Sequence, residues 1–202
     1  MSASNLTMPT MPNNLNMAAS ELLIGGQRSG KSARAETMTA AWLAKNDRHE
    51  AVMIATATAW DDEMQQRIAR HQRDRAARVP RMRTIEEPLH LARCVRTHSQ
   101  ANTLVVVDCM SLWLTNWMMP AEQIKCDASA IESEVAGLLA AIAQAPGPLV
   151  LVTNEIGLGV IPMGREVREL VDALGRLNQL LAGACQLFIL MAAGLSLNLK
   201  AP

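Results

Sequence analysis

Aromatic side chains are nearly missing from this 202-residue chain, which has four Trp, one Phe and no Tyr. Grooves that bind single-stranded nucleic acid stack bases on several aromatic faces, and these few cannot line one. A charge excess is missing too, with 19 basic against 19 acidic residues. No general basic field exists to hold nucleic acid. The four cysteines (Cys94, Cys109, Cys126, Cys185) stand far apart and form no C-x-x-C pair. That argues against a zinc site or a disulfide framework and fits reduced thiols in the cytoplasm. No apolar run reaches the roughly 18 residues that a membrane span needs. Residues 1–20 lack a basic n-region and a long apolar h-region, so they do not read as a signal peptide. Rich in Met, Asn, Thr, Ser and Pro and without charge, they read as a flexible tail. Half the chain is hydrophobic, and residues 21–202 are long enough for one α/β domain with a core of Leu, Val, Ile, Ala and Met.

What is present is organised around one stretch. Leu22-Leu23-Ile24 is a short apolar run, Gly25-Gly26-Gln27-Arg28-Ser29-Gly30-Lys31-Ser32 follows it, and Ala33-Arg34-Ala35-Glu36 continues in good helix formers. Strand, glycine loop, helix is the setting of the P-loop pattern G-x-x-x-x-G-K-S. The glycines let backbone N–H groups close on phosphate oxygens, and the helix points its positive end at the same anion. Lys31 is placed to reach the β- and γ-phosphates, and Ser32 to ligate Mg²⁺.

Strands and helices alternate downstream. Residues 51–57 read as a buried strand, with Thr56 and Thr58 at or just past its C-terminal end, where open parallel sheets bind ligands. Asp61-Asp62-Glu63 opens the next helix and basic residues close it, as the helix dipole favours. Arg67, Arg70, Arg73, Arg75, Arg78, Arg81 and Arg83 crowd residues 67–83, with His71 among them. This is either a solvated basic face or an anion site confined to one place in a neutral protein. The Thr103–Asp108 stretch is an apolar strand ending in a carboxylate, the form of a Walker B element that binds Mg²⁺ directly or through water. Residues 127–144 have apolar positions at helical spacing and read as core packing. Residues 149–155 and 186–191 read as further buried strands, 164–183 as a helix between them, and 195–200 as an antiparallel edge strand. The alternation predicts a doubly wound, mainly parallel sheet.

The motifs in this order resemble one family. They are the P-loop with Ala35-Glu36, Ile54-Ala55-Thr56, Asp61-Asp62-Glu63-Met64 with Arg67-Ile68 and His71, Arg83-Thr84 with Glu86, Val152-Thr153-Asn154-Glu155-Ile156-Gly157-Leu158-Gly159, and Gly175-Arg176-x-Asn178-Gln179. Together they resemble the bifunctional adenosylcobinamide kinase/adenosylcobinamide-phosphate guanylyltransferases of cobalamin biosynthesis, over roughly residues 21–200. The resemblance implies a RecA-like P-loop fold, a trimer, and two reactions. ATP or GTP phosphorylates adenosylcobinamide, with Lys31, Ser32 and Asp108 serving the Mg²⁺-nucleotide. GMP from GTP then passes through a histidine, which falls on His71, to the phosphorylated corrinoid. Arg70, Arg73 and Arg75 are available to its phosphates. Asp61, Asp62, Glu86 and Asp108 are the carboxylates available to metal, guanosine or ribose, and spacing does not divide them. The chain departs from the family pattern at Met82, where Trp is usual, at Val171, where Arg is common, and at Arg70, where some members carry a second histidine. A different P-loop small-molecule kinase and a non-catalytic nucleotide binder are the competing readings.

Overall fold

A computed structural model of the chain describes residues 17–59, 61–120 and 128–201, with Arg67 described by its backbone alone. Most of the expected N-terminal tail, residues 1–16, lies outside the described residues. The elements run β1 (Ser20–Gly25), α1 (Lys31–Lys45), β2 (Glu50–Ala55), α2 (Asp62–Arg78), β3 (Met82–Glu86), α3 (Leu91–His98) and β4 (Thr103–Asp108). Then follow α4 (Met110–Met118), α5 (Ala128–Gln144), β5 (Leu149–Asn154), α6 (Arg165–Ala184), β6 (Leu187–Ala192) and β7 (Leu195–Lys200).

The strands form one seven-stranded sheet in the order β3-β2-β4-β5-β1-β6-β7. Every pairing is parallel except β6 with β7. The expected doubly wound sheet and its antiparallel C-terminal edge strand are both present. The central strands are buried on both faces, which is why they read as continuous apolar runs rather than alternating ones. Ala193 and Gly194 make the tight β6–β7 turn, both with positive φ (50° and 82°), as a two-residue hairpin with matching twist requires.

Two apolar layers cover the sheet. On one face Ala35, Met38 and Leu43 of α1 pack with Met53, Val106, Val150 and Ile189. On the other face α3, α4, α5 and α6 pack over Val52, Ile54, Val105, Val107 and Leu151. Trp113 of α4 is fully buried in the second layer, and its indole N–H donates to the Leu89 carbonyl at 2.7 Å. The amphipathic pattern of residues 127–144 does become core: Leu138 and Ile142 are buried, and Ile131, Val135 and Leu139 pack against them.

Helix α2 is more tethered than packed. Its inward side carries few apolar groups, so polar contacts locate it. The Asp61 carboxylate caps its start by accepting from the Met64 N–H at 2.7 Å. Arg78 near its end pairs with Glu36 of α1 at 2.7 Å. Gln72 in its middle donates to Glu86, the last residue of β3, at 3.2 Å.

Candidate active site

The glycine loop sits between β1 and α1 at the C-terminal edge of the sheet. Gly25 cannot be another residue: a Cβ there would lie 2.3 Å from the Met191 carbonyl oxygen of β6. Gly30, with φ of 103°, is the N-cap of α1 and supplies no side-chain cap. The first turn of α1 contains no acidic residue. Its free N–H groups and the positive end of its dipole therefore stay available to an anion. The Ser29 carbonyl accepts from the Gly194 N–H at 2.9 Å, which ties the loop to the β6–β7 turn. Gly26, Gln27 and Arg28 form its exposed crest.

Lys31 is buried, and its ammonium donates to the Gly25 and Gly26 carbonyls at 2.7 Å each. Burial lowers its pKa, while the nearby Cys109 and Asp108 oppose the shift. Ser32 donates to the Asp108 carboxylate at 3.1 Å. These two residues come from β4 and α1, although β5 separates β4 from β1 in the sheet.

Thr56 holds Asp108 in place. It is fully buried; its hydroxyl donates to the Cys109 carbonyl at 2.7 Å and accepts from the Cys109 N–H at 2.9 Å. Its own N–H donates to the Asp108 carbonyl at 3.1 Å. Asn116 of α4 closes the arrangement by donating to the Thr56 carbonyl at 2.8 Å. Both polar functions of Thr56 are thus engaged with the protein, and Thr58 is the half-buried threonine nearer the surface. Cys109 beside them is shut away, its thiol pushed up to about 11 by burial and then by Asp108.

The arginine run does not form a single patch. Arg81 donates to the carbonyls of Leu43, Asp47 and His49, and Arg78 pairs with Glu36, so both serve the fold. Arg70 and Arg73 are exposed on α2, as is His71. Arg75 is buried, at 7 % exposure. Glu86 stands beside this group through its hydrogen bond with Gln72.

Sequence reasoning left two groups off its site. Glu155 directly follows β5 beside the loop: its N–H donates to the Gly25 carbonyl at 3.1 Å, the acceptor also used by Lys31. Its carboxylate accepts from the Gly157 and Leu158 N–H groups at 2.6 and 3.2 Å and so shapes the next loop. The signal was a carboxylate closing an apolar strand, as at Asp108. The other is the buried Glu21–Arg34 pair behind the loop, at 3.4 Å.

A glycine loop feeding a helix start, with lysine, serine and a strand-end carboxylate converging on it, defines a P-loop phosphotransferase site. The fold agrees. A flagellar accessory protein from Methanocaldococcus jannaschii superposes with a TM-score of 0.50 at 13 % identity, covering 92 % of this chain and 79 % of its own. A Pyrococcus horikoshii protein superposes with a TM-score of 0.52 at 10 % identity, covering 92 % and 87 %. Residues 21–199 match the family described as cobinamide kinase / cobinamide phosphate guanyltransferase, and the chain belongs to it. A Pseudomonas aeruginosa relative, bifunctional adenosylcobalamin biosynthesis protein CobP, is 42 % identical over 89 % of this chain and 96 % of its own. The Escherichia coli relative, bifunctional adenosylcobalamin biosynthesis protein CobU, is 34 % identical over 89 % and 98 %.

Proposed function

We propose that the chain carries both activities of its family: it phosphorylates cobinamide and then guanylylates the phosphate, within cobalamin biosynthesis. The observation that carries the reading is the convergence of Lys31, Ser32 and Asp108 at an uncapped helix start. In the kinase step the loop amides and Lys31 hold the β- and γ-phosphates of ATP or GTP. The Lys31 ammonium exchanges its loop carbonyls for phosphate oxygens.

Ser32 and Asp108 offer hard oxygen donors 3.1 Å apart, the kind Mg²⁺ prefers. Among the described residues no cluster of three or more His, Cys, Asp or Glu side chains could hold a metal ion alone. That suits Mg²⁺, which is commonly held by one or two protein oxygens, substrate phosphates and water. Mg²⁺ supplies charge neutralisation on the transferring phosphoryl group; the protein supplies position.

In the second step an imidazole nitrogen of His71 attacks the α-phosphorus of GTP. A nitrogen–phosphorus bond forms, the bond to the β-phosphate bridging oxygen breaks, and pyrophosphate leaves with the electron pair. The ring gives up the proton on its second nitrogen to water. A phosphate oxygen of the phosphorylated corrinoid then attacks the same phosphorus, the ring takes a proton back from water as the nitrogen–phosphorus bond breaks, and neutral imidazole leaves with the GDP-linked product formed. Splitting the displacement in two is what a covalent nucleophile contributes. Exposure of His71 on α2 gives both substrates access.

We place the protein in the cytoplasm as a homotrimer. Among the described residues no helix is long and apolar enough to cross a membrane. Leu158, Val160 and Met163 are exposed at 87, 95 and 96 %, and the β7 leucines Leu195, Leu197 and Leu199 at 50–68 %, which is surface for subunits to cover.

Intact-mass spectrometry after incubation with GTP and Mg²⁺ tests the reading. Wild type is expected to gain one acid-labile GMP, and His71→Ala none, while the variant still phosphorylates adenosylcobinamide. No adduct on wild type, with corrinoid phosphorylation intact, would leave a plain kinase. Binding without any turnover would leave a nucleotide-binding protein.

A further inference from the structure

Asp108 and Glu155 are the carboxylates that β4 and β5 bring to the P-loop, and a metal shared with Ser32 accounts for only the first. Strand β5 lies between β4 and β1. The Glu155 N–H donates to the Gly25 carbonyl at 3.1 Å, and the Lys31 ammonium donates to the same oxygen at 2.7 Å. One loop carbonyl thus joins the Glu155 backbone to the lysine that serves the γ-phosphate. Glu86 is remote by comparison: it ends β3, four strand spacings from β1, or about 19 Å. On the other side of β1 the β6–β7 turn offers Ala192, Ala193 and Gly194, none of which has a side chain that can take a proton.

The Glu155 carboxylate is fixed at one oxygen and open at the other. Its Oε1 accepts from the Gly157 N–H at 2.6 Å and from the Leu158 N–H at 3.2 Å. A Cβ at Gly157 would stand 3.1 Å from that oxygen, so the glycine lets the backbone come in close. Two donors on one oxygen settle the rotation of the carboxylate. Oε2 has no hydrogen bond or ion pair among the described residues, and it is not a buried atom. Shaping the loop needs only an acceptor oxygen, which a glutamine would supply equally. The charge of a carboxylate is surplus to that task.

We propose that Glu155 is the general base of the kinase step, taking the proton of the corrinoid hydroxyl that is phosphorylated; the inference rests on the kinase half of the function proposed above. The hydroxyl oxygen attacks the γ-phosphorus. An oxygen–phosphorus bond forms, the bond from the γ-phosphorus to the β–γ bridging oxygen breaks, and the nucleoside diphosphate leaves with the electron pair. The hydroxyl proton passes to Glu155 Oε2 and from there to water. Besides positioning and charge neutralisation, this is the one proton transfer that phosphorylation of a hydroxyl asks of the protein. Guanylylation does not use Glu155, because its nucleophiles are an imidazole nitrogen and a phosphate oxygen.

The test compares wild type with Glu155→Gln and Glu155→Ala. The readouts are kcat and KM for corrinoid phosphorylation, the rate of GMP adduct formation by intact mass, and the melting temperature. Glu155→Gln keeps an acceptor for the Gly157 and Leu158 N–H groups and removes the basic oxygen. Its phosphorylation kcat is expected to fall about 100-fold or more, with KM for both substrates, adduct formation and melting temperature close to wild type. Formate added to Glu155→Ala is expected to restore phosphorylation. Formamide, of similar shape but without a basic oxygen, is expected not to. A merely structural acceptor would leave Glu155→Gln active and would not distinguish the two additives. Phosphorylation by Glu155→Gln at the wild-type rate would overturn the inference. So would a loss shared equally by phosphorylation and adduct formation, an absence of formate rescue, or equal rescue by formamide. A wild type that phosphorylates no corrinoid would overturn the kinase reading itself, a result seen before any variant is compared.

Discussion

Replacing Arg34 by Ala isolates the electrostatics behind the P-loop. Arg34 and Glu21 are 10 % and 3 % exposed as side chains, and Nη2 lies 3.4 Å from Oε1. Burial raises the Glu21 pKa above the ordinary 4.5, and Arg34 pulls it back by charge and by hydrogen bonding. A carboxylate whose folded pKa is raised costs stability as pH climbs from 4.5 through the folded pKa, because the folded state binds the extra proton. Without Arg34 that window extends to higher pH. Removing one partner of a buried pair typically costs about 3–5 kcal/mol. Glu21 has an escape, however: it can take up a proton. At pH 7 that escape costs at most roughly 1.36 × 2.5, or about 3.4 kcal/mol, and at pH 5 only about 0.7 kcal/mol. Loss of the packed Arg34 stem adds about 1 kcal/mol at every pH. Urea unfolding followed by fluorescence of the buried Trp113 should therefore show a deficit of about 1–2 kcal/mol at pH 5 that grows to about 3–4 kcal/mol at pH 7. Adding Glu21→Gln should flatten the pH dependence. A deficit equal at pH 5 and pH 8 would refute the reasoning, since it would mean that Glu21 carries no buried charge.

Two glycines of the loop should behave oppositely. Gly25→Ala drives a Cβ to 2.3 Å from the Met191 carbonyl and is expected to lose about 2–3 kcal/mol, whereas Gly26→Ala meets nothing within 4 Å and should stay within about 0.5 kcal/mol in the same unfolding assay. At Glu87 burial pushes the pKa up, but N–H bonds from His90 and Leu89 outweigh it and hold the group below the ordinary value. Its contribution is present above pH 4.5 and lost as pH falls through the folded pKa, so Glu87→Gln should be about 0.5–1 kcal/mol less stable at pH 7 and equal to wild type near pH 3. Asp108→Asn keeps a partner for Ser32 but removes the anion; corrinoid phosphorylation should fall at least about 100-fold, with melting temperature little changed.

The fold was legible because its strands are apolar runs closed by polar residues, and a parallel sheet buries such runs on both faces. The glycine loop carries its own conformational logic, so Gly25 to Ser32 could be placed from sequence. Asp108 was readable for the same reason, as a carboxylate closing β4. The sorting of the arginines was not. Arg75, Arg78 and Arg81 look alike in the chain; only α1, β2 and the turn at Asp47 decide which of them finds a partner. Thr56 also looked like a ligand contact at a strand end, and its neighbours turn its hydroxyl onto Cys109. Burial and pairing are products of tertiary packing, and spacing does not encode them.

The sheet order explains how both halves of the proposed chemistry meet at one edge. The chain leaves β1 for β2 across β5 and β4, then continues outward to β3, carrying α1 and α2 on the same face. From β3 it returns toward β6 with α3 to α6 on the other face. Both α1 and α2 therefore start at the C-terminal edge and run down from it side by side. Glu36 lies five residues below Lys31, and Arg78, its partner, lies seven below His71. At 1.5 Å per residue these drops are about 7.5 and 10.5 Å along the two helix axes. The Arg78–Glu36 pair ties α2 to α1 at 2.7 Å. Shortening it by Glu36→Asp should slide α2 against α1 and slow guanylylation more than phosphorylation, because the P-loop is anchored independently through Gly194 and Glu155.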